Sequence, residues 1–140
     1  MNHFVFENPE IQSQWEAFCD PAWDRLRKLS AKVPKDLNTR VKGLENIIET
    51  LMAEQFGNDE AGLIGLAELN GRIEYFRDVA NAEVMMSLYE ANPKQNITML
   101  KAQAEGKIAS ITALAAFAKH IWAAVERALM SAQSLLKRAP

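Results

Sequence analysis

Apolar positions recur along this chain at helical spacing, and nowhere do they alternate with the two-residue rhythm of a half-buried strand. The clearest case lies near the C-terminus. Ile97, Ala104, Ile111, Ala118, Val125 and Ala132 are spaced by seven, and Ile108, Ala115, Trp122, Leu129 and Leu136 fall four residues after members of that set. This is the a/d seam of a coiled coil, with Lys101 spoiling the first d position. Leu100, Leu114, Ile121, Ala128 and Leu135 widen the stripe, so this face is expected to meet more than one neighbour. Between Lys107 and Leu136 there is no Gly or Pro, and nine of the residues are Ala. One helix over about 94–138 is predicted.

The remaining elements follow from the same reading. Residues 1–8, with Phe4, Val5 and Phe6, form an extended arm. Asn8-Pro9 supplies an N-cap and a first helical position. The helix after it carries Ile11, Trp15 and Phe18 on one face. Asp20-Pro21 should interrupt it and start a second short helix with Trp23, Leu26 and Leu29, ending at Pro34. Asp36 can cap a helix over 37–56 with Leu37, Val41, Leu44, Ile48 and Leu51 as its apolar face. Gly57 to Asp59 reads as a stop and a new cap. A helix over about 60–91 then carries Leu66, Leu69, Ile73, Phe76, Ala80, Val84 and Leu88. Asn92-Pro93 is a sharp break. The expectation is one all-α domain: an arm at 1–8, short helices over 9–56, and a long antiparallel hairpin over 60–138, bundle-like in its packing.

If the hairpin turns near residue 93, facing residues sum to about 186. Gly71 would then lie opposite Ala115, and Ala80 opposite Gly106, small against small, allowing a close crossing. Residues 43–92 hold ten acids against Arg72 and Arg77, while 93–140 hold seven bases against Glu105 and Glu126. An acidic arm facing a basic arm favours this pairing. The arms differ in length, about 48 Å against about 66 Å. The overhang beyond about residue 124 keeps Val125, Leu129 and Leu136 on its seam. Either helix 37–56 or another subunit must cover it. With Phe4, Phe6 and Trp122, these residues are the candidate contacts of a homo-oligomer or of a larger assembly.

The chain has 140 residues, net charge −2 and 49% hydrophobic residues, ordinary values for a globular domain. A single cysteine, Cys19, excludes an internal disulfide and paired-cysteine metal sites. There is no signal-peptide pattern at "MNHFVFENPE", and Lys119 and His120 interrupt the most apolar stretch. A cytoplasmic protein without membrane contact is expected. His3 and His120 lie in no metal-binding frame, no glycine cluster forms a phosphate loop, and Glu45 and Glu49 read as a solvated face. No catalytic residue, metal ligand or cofactor is assigned.

One charged stretch stands out. Arg25, Arg27, Lys28, Lys32, Lys35, Arg40 and Lys42 face only Asp36, after a segment with five acids and no Lys or Arg. These residues form either a solvated, internally neutralised face or a patch for nucleic-acid backbone or an acidic partner. Helix 37–56 and helix 60–91 have helix-turn-helix spacing, but Asp59, Glu60 and Glu68 at the start of the second would repel phosphate.

The stretch "LAELNGRIEYFRDVANAE", Leu66 to Glu83, with its L-x-G-R-I-x-x-x-R core at Leu69 to Arg77, resembles helical segments in small proteins of tailed bacteriophages. It covers about an eighth of the chain and carries no catalytic residue with it. The resemblance implies a virion component or an assembly or packaging factor, in the host cytoplasm or the particle. The functional expectation is a non-enzymatic structural or assembly protein. The alternative is a nucleic-acid-associated packaging or regulatory subunit using the basic stretch.

Overall fold

Helix α1 (Pro9–Lys32) opens where the cap was expected. Asn8 Oδ1 accepts from the amides of Glu10 at 2.9 Å and Ile11 at 3.2 Å, satisfying donors that a helix start leaves open. The computed structural model describes residues 4–35, 37 and 43–138. The helices that follow are α2 (Leu44–Phe56), α3 (Leu66–Ala91), α4 (Ile97–Lys107) and α5 (Ala109–Arg138), and the fold is all-α. A ribbon of two short antiparallel strands, β1 (Gly57–Asn58) and β2 (Leu63–Ile64), separates α2 from α3.

Four boundaries differ from the sequence reading, each for a physical reason. First, α1 does not break at Asp20-Pro21. Trp15, Cys19, Ala22, Leu26 and Leu29 are all buried, at spacings of four, three, four and three. Their joint burial outweighs the roughly 3 kcal/mol that a proline costs inside a helix. Second, α2 begins at Leu44, not at residue 37. Gly43 is left-handed (φ 76°), which ends any helix arriving from before it, and Leu37 lies outside the helices. The expected cap at Asp36 falls outside the described residues.

Third, the region after Gly57 is a ribbon and not the start of a helix. Asn58 Oδ1 does cap a turn, accepting from the amides of Glu60 and Ala61. The chain then reverses, with Gly62 N–H donating to the Asp59 carbonyl. Gly57 (φ 89°) faces Gly65 so closely that a Cβ on Gly57 would lie 2.9 Å from the Gly65 amide. Fourth, the long C-terminal helix is two helices, α4 and α5, bent by 73° at Ile108. Gly106, a weak helix former, stands just before the bend.

The residues divide into two compact units. The first holds 1–23 and 71–116. In it the chain turns at Asn92–Asn96, Asn96 Oδ1 caps α4 by accepting from the Met99 amide at 3.0 Å, and the chain returns beside α3, where Arg77, Asp78 and Asn81 line a common groove with Glu105, Ala109 and Thr112. Phe6, Trp15 and Phe76 form its aromatic centre, with ring centroids 5.1–6.0 Å apart. Ile73, Ala80, Leu100, Ala104, Ile108, Ile111, Leu114 and Ala115 complete the core.

Within this unit the expected close crossings are absent. Gly71 and Gly106 are exposed, and a Cβ on either would meet nothing within 4 Å. Ala115 and Ala80 are buried. The two glycines lie on the solvent side of their helices, so a small-on-small seam does not explain them.

The second unit holds 24–70 and 117–140. Leu26, Leu29, Leu44, Leu51, Leu66 and Leu69 are buried together with Ile121, Val125, Ala128, Leu129 and Ala132. Buried Asn70 donates from Nδ2 to the Leu66 carbonyl at 2.8 Å and to the Ala118 carbonyl at 3.5 Å, tying α3 to α5. That pair lies within a turn of the register expected from the sequence. No single helix among the described residues is long and apolar enough to cross a membrane.

Candidate functional site

The candidate oligomer contacts separate into two groups. Val125 and Leu129 are buried in the second unit, which holds α2 as well as the end of α5. The seam beyond residue 124 is therefore covered within the chain, the first of the two alternatives, and not by another subunit at Val125 and Leu129. Phe6 is buried too, held by Trp15, Phe76 and Phe4 and by its own amide, which donates to Gln12 Oε1 at 2.6 Å. The arm is thus seated on its own chain. A second tie follows, the Glu7 amide donating to Glu83 Oε2 at 3.0 Å. Phe4 and Trp122 are half-buried, and Leu136 is exposed. Trp122 Nε1 is buried without a hydrogen-bond acceptor in the described structure.

The basic stretch is also divided. Arg25 forms a forked pair with Glu54: Nε and Nη2 donate to Oε2 at 3.2 and 2.9 Å, and Nη2 reaches the Glu54 carbonyl at 3.3 Å. Both side chains are largely covered, so this pair clamps α1 to α2 and leaves Arg25 unavailable to a partner. Lys28 pairs with Asp24 one turn away at 2.9 Å. Arg27 has an interaction of its own. Lys32 and Lys35 are exposed. Arg40 and Lys42 lie outside the described residues. The seven cations therefore do not form one free patch.

A different constellation takes its place. A groove of about 720 Å³ runs between the end of α1 with the segment after it and α5. Val33, Pro34, Leu37, Ile121, Ala124 and Ala128 give it apolar walls, while Ser30, Lys35, His120, Arg127 and Ser131 supply polar groups. None of these lining residues is acidic. At 3.6 residues per turn, His120, Arg127, Ser131, Ser134 and Arg138 share about 60° of the circumference of α5. Glu126 lies about a third of a turn away. Sequence reasoning set His120 aside and did not group it with Arg127 and Arg138. The helical spacing of the three was the available signal. The meeting of His120 and Arg127 with Lys35 was not, because it joins residues some ninety positions apart.

Cys19 is buried, and its thiol is pushed up from 9.0 to about 11, first by burial and then by the charge of neighbouring Asp20. At neutral pH it is a protonated core side chain. No cluster of three or more His, Cys, Asp or Glu side chains suited to a metal occurs among the described residues.

Comparisons of the chain with protein-family models, with curated proteins and with solved structures return no match. The phage-like pattern at Leu66–Glu83 therefore rests on those residues alone.

Proposed function

We propose that this is a non-enzymatic assembly protein that associates with copies of itself through the turn end of its first unit. The observation that supports it is the set of large apolar side chains exposed around Asn92–Asn96. Met86 is 65% exposed, Tyr89 57%, Ile97 63% and Met99 53%. They cluster within a few residues of one turn, flanking its two helices. Large apolar side chains exposed together near one turn suit a contact with another protein. Methionine and tyrosine suit such a contact, Met because it adapts its shape and Tyr because it combines a large apolar ring with a polar tip. This relocates the association expected from the sequence, from the helical seam to a helix turn. The L-x-G-R-I-x-x-x-R pattern gives the reading its context, a phage particle component or assembly factor.

Light scattering over a micromolar concentration series tests the proposal. The expected result is a mass above the 15.7 kDa monomer that rises with concentration and falls back in Tyr89→Glu with Ile97→Glu. A wild-type chain that stays at the monomer mass throughout overturns it.

A further inference from the structure

The groove between the end of α1 and α5 has no role in that association. We propose that it binds the sugar-phosphate backbone of a single-stranded nucleic acid, with Lys35, Arg127 and Arg138 each meeting a phosphate along one strand.

Three observations converge on this. The described lining carries no acid, while Lys35 on one wall and His120 and Arg127 on the other are exposed toward a partner. The row of basic side chains continues past the groove to Arg138 on the same side of α5, so that His120 to Arg138 spans about 27 Å. A single bound phosphate would use one position on so long a row. A strand uses all of it. Ser30 and Ser131 add hydroxyl donors of the kind that position phosphate oxygens.

The shape narrows the class further. The cations surround a concavity with an apolar floor of Val33, Pro34, Ile121 and Ala124. A single strand can enter it and lay sugar and base faces on that floor. A flat anionic bilayer engages a convex surface. No Phe, Tyr or Trp is among the described lining residues, so base recognition is weak and binding tolerates any sequence. The chain's net charge of −2 means that attraction to a polyanion must come from this local row and not from the molecule as a whole.

Fluorescence anisotropy of dye-labelled oligothymidylate, with the full chain at low salt, tests the proposal. Three phosphate contacts on a single strand predict a slope of about −2 for log affinity against log salt. Arg127→Glu with Arg138→Glu should weaken binding at least about tenfold and flatten that slope to roughly −0.7. Ser131→Glu, which puts a negative charge in the groove, should weaken it as well. Arg127→Gln, the mildest change, should give an intermediate loss with an unchanged circular dichroism spectrum. Lys94→Glu with Lys101→Glu, in the first unit, should leave binding as it was. The proposal is overturned by any of three results: no oligonucleotide binding, binding insensitive to the groove variants, or equal affinity for a free nucleoside monophosphate. Capture by phosphatidylserine vesicles without oligonucleotide binding would overturn it too.

Discussion

Gly65 and Gly71 stand six residues apart and do opposite things. Gly65 is buried where a Cβ would lie 2.7 Å from the Gln55 carbonyl oxygen and 2.9 Å from the Phe56 carbonyl carbon, and those are backbone atoms that cannot swing aside. Gly71 sits on the exposed side of α3 with open space around it. Gly65→Ala should therefore lower the melting temperature. Gly71→Ala should raise it by a few degrees, since replacing glycine with alanine inside a helix gains up to about 1 kcal/mol. Calorimetry on the two variants checks both signs. Cys19 adds a pH dependence. Its thiol is held at about 11 in the fold against 9.0 unfolded, so the folded state favours the neutral form. That stability is fully present below pH 9 and is lost progressively as the pH rises toward 11. Urea unfolding of the wild type and Cys19→Ala should show a gap that narrows across that window. A constant gap would mean that the thiol does not titrate with folding.

At the scale of the elements, Pro21 is the informative residue. It lies inside α1 on the exposed side, where it deletes one helical hydrogen bond. Pro21→Ala restores the donor, and an increase in stability of up to about 3 kcal/mol is expected. A loss would mean that α1 depends on the local distortion proline imposes. Ala115 offers the reverse test: it is buried in the first unit, so Ala115→Leu should cost about 1–3 kcal/mol by overpacking despite leucine's good helix propensity. How much of this was legible depended on what periodicity can carry. The seam over Ala104, Ile108, Ile111, Ala118, Val125 and Ala132 was readable, and each of these is buried. The bend at Ile108 was not, because Ala104, Ile108 and Ile111 keep helical spacing straight through it. The continuity of α1 was readable in the spacing from Trp15 to Leu29, but the proline signal hid it. The ribbon at 57–64 follows from glycine contacts that no local pattern records, and the groove follows from α1 and α5 meeting in space.

At the scale of the whole molecule, charge separates the two surfaces. By sequence the first unit carries a net −4 and the second +2. Two copies meeting through the turn at Asn92–Asn96 bring like-charged units together, so repulsion opposes the burial of Met86, Tyr89, Ile97 and Met99. Salt screens repulsion over about 8–10 Å and leaves apolar burial intact. Self-association should therefore strengthen as salt rises, while nucleic-acid binding in the groove weakens. Seam residues give a further contrast. Leu129 is 6% exposed and Leu136 38%. Leu129→Glu should thus unfold the second unit, as an unpaired charge in a core must, while Leu136→Glu leaves helical content and mass unchanged. Light scattering at low and high salt, on the wild type, on Tyr89→Glu with Ile97→Glu, and on Arg127→Glu with Arg138→Glu, resolves the assignment. The apolar pair should lose its assembled mass at both salt concentrations, and the arginine pair should keep it. If the arginine pair alone disperses the assembly, the groove is the contact between copies, and the turn end is not.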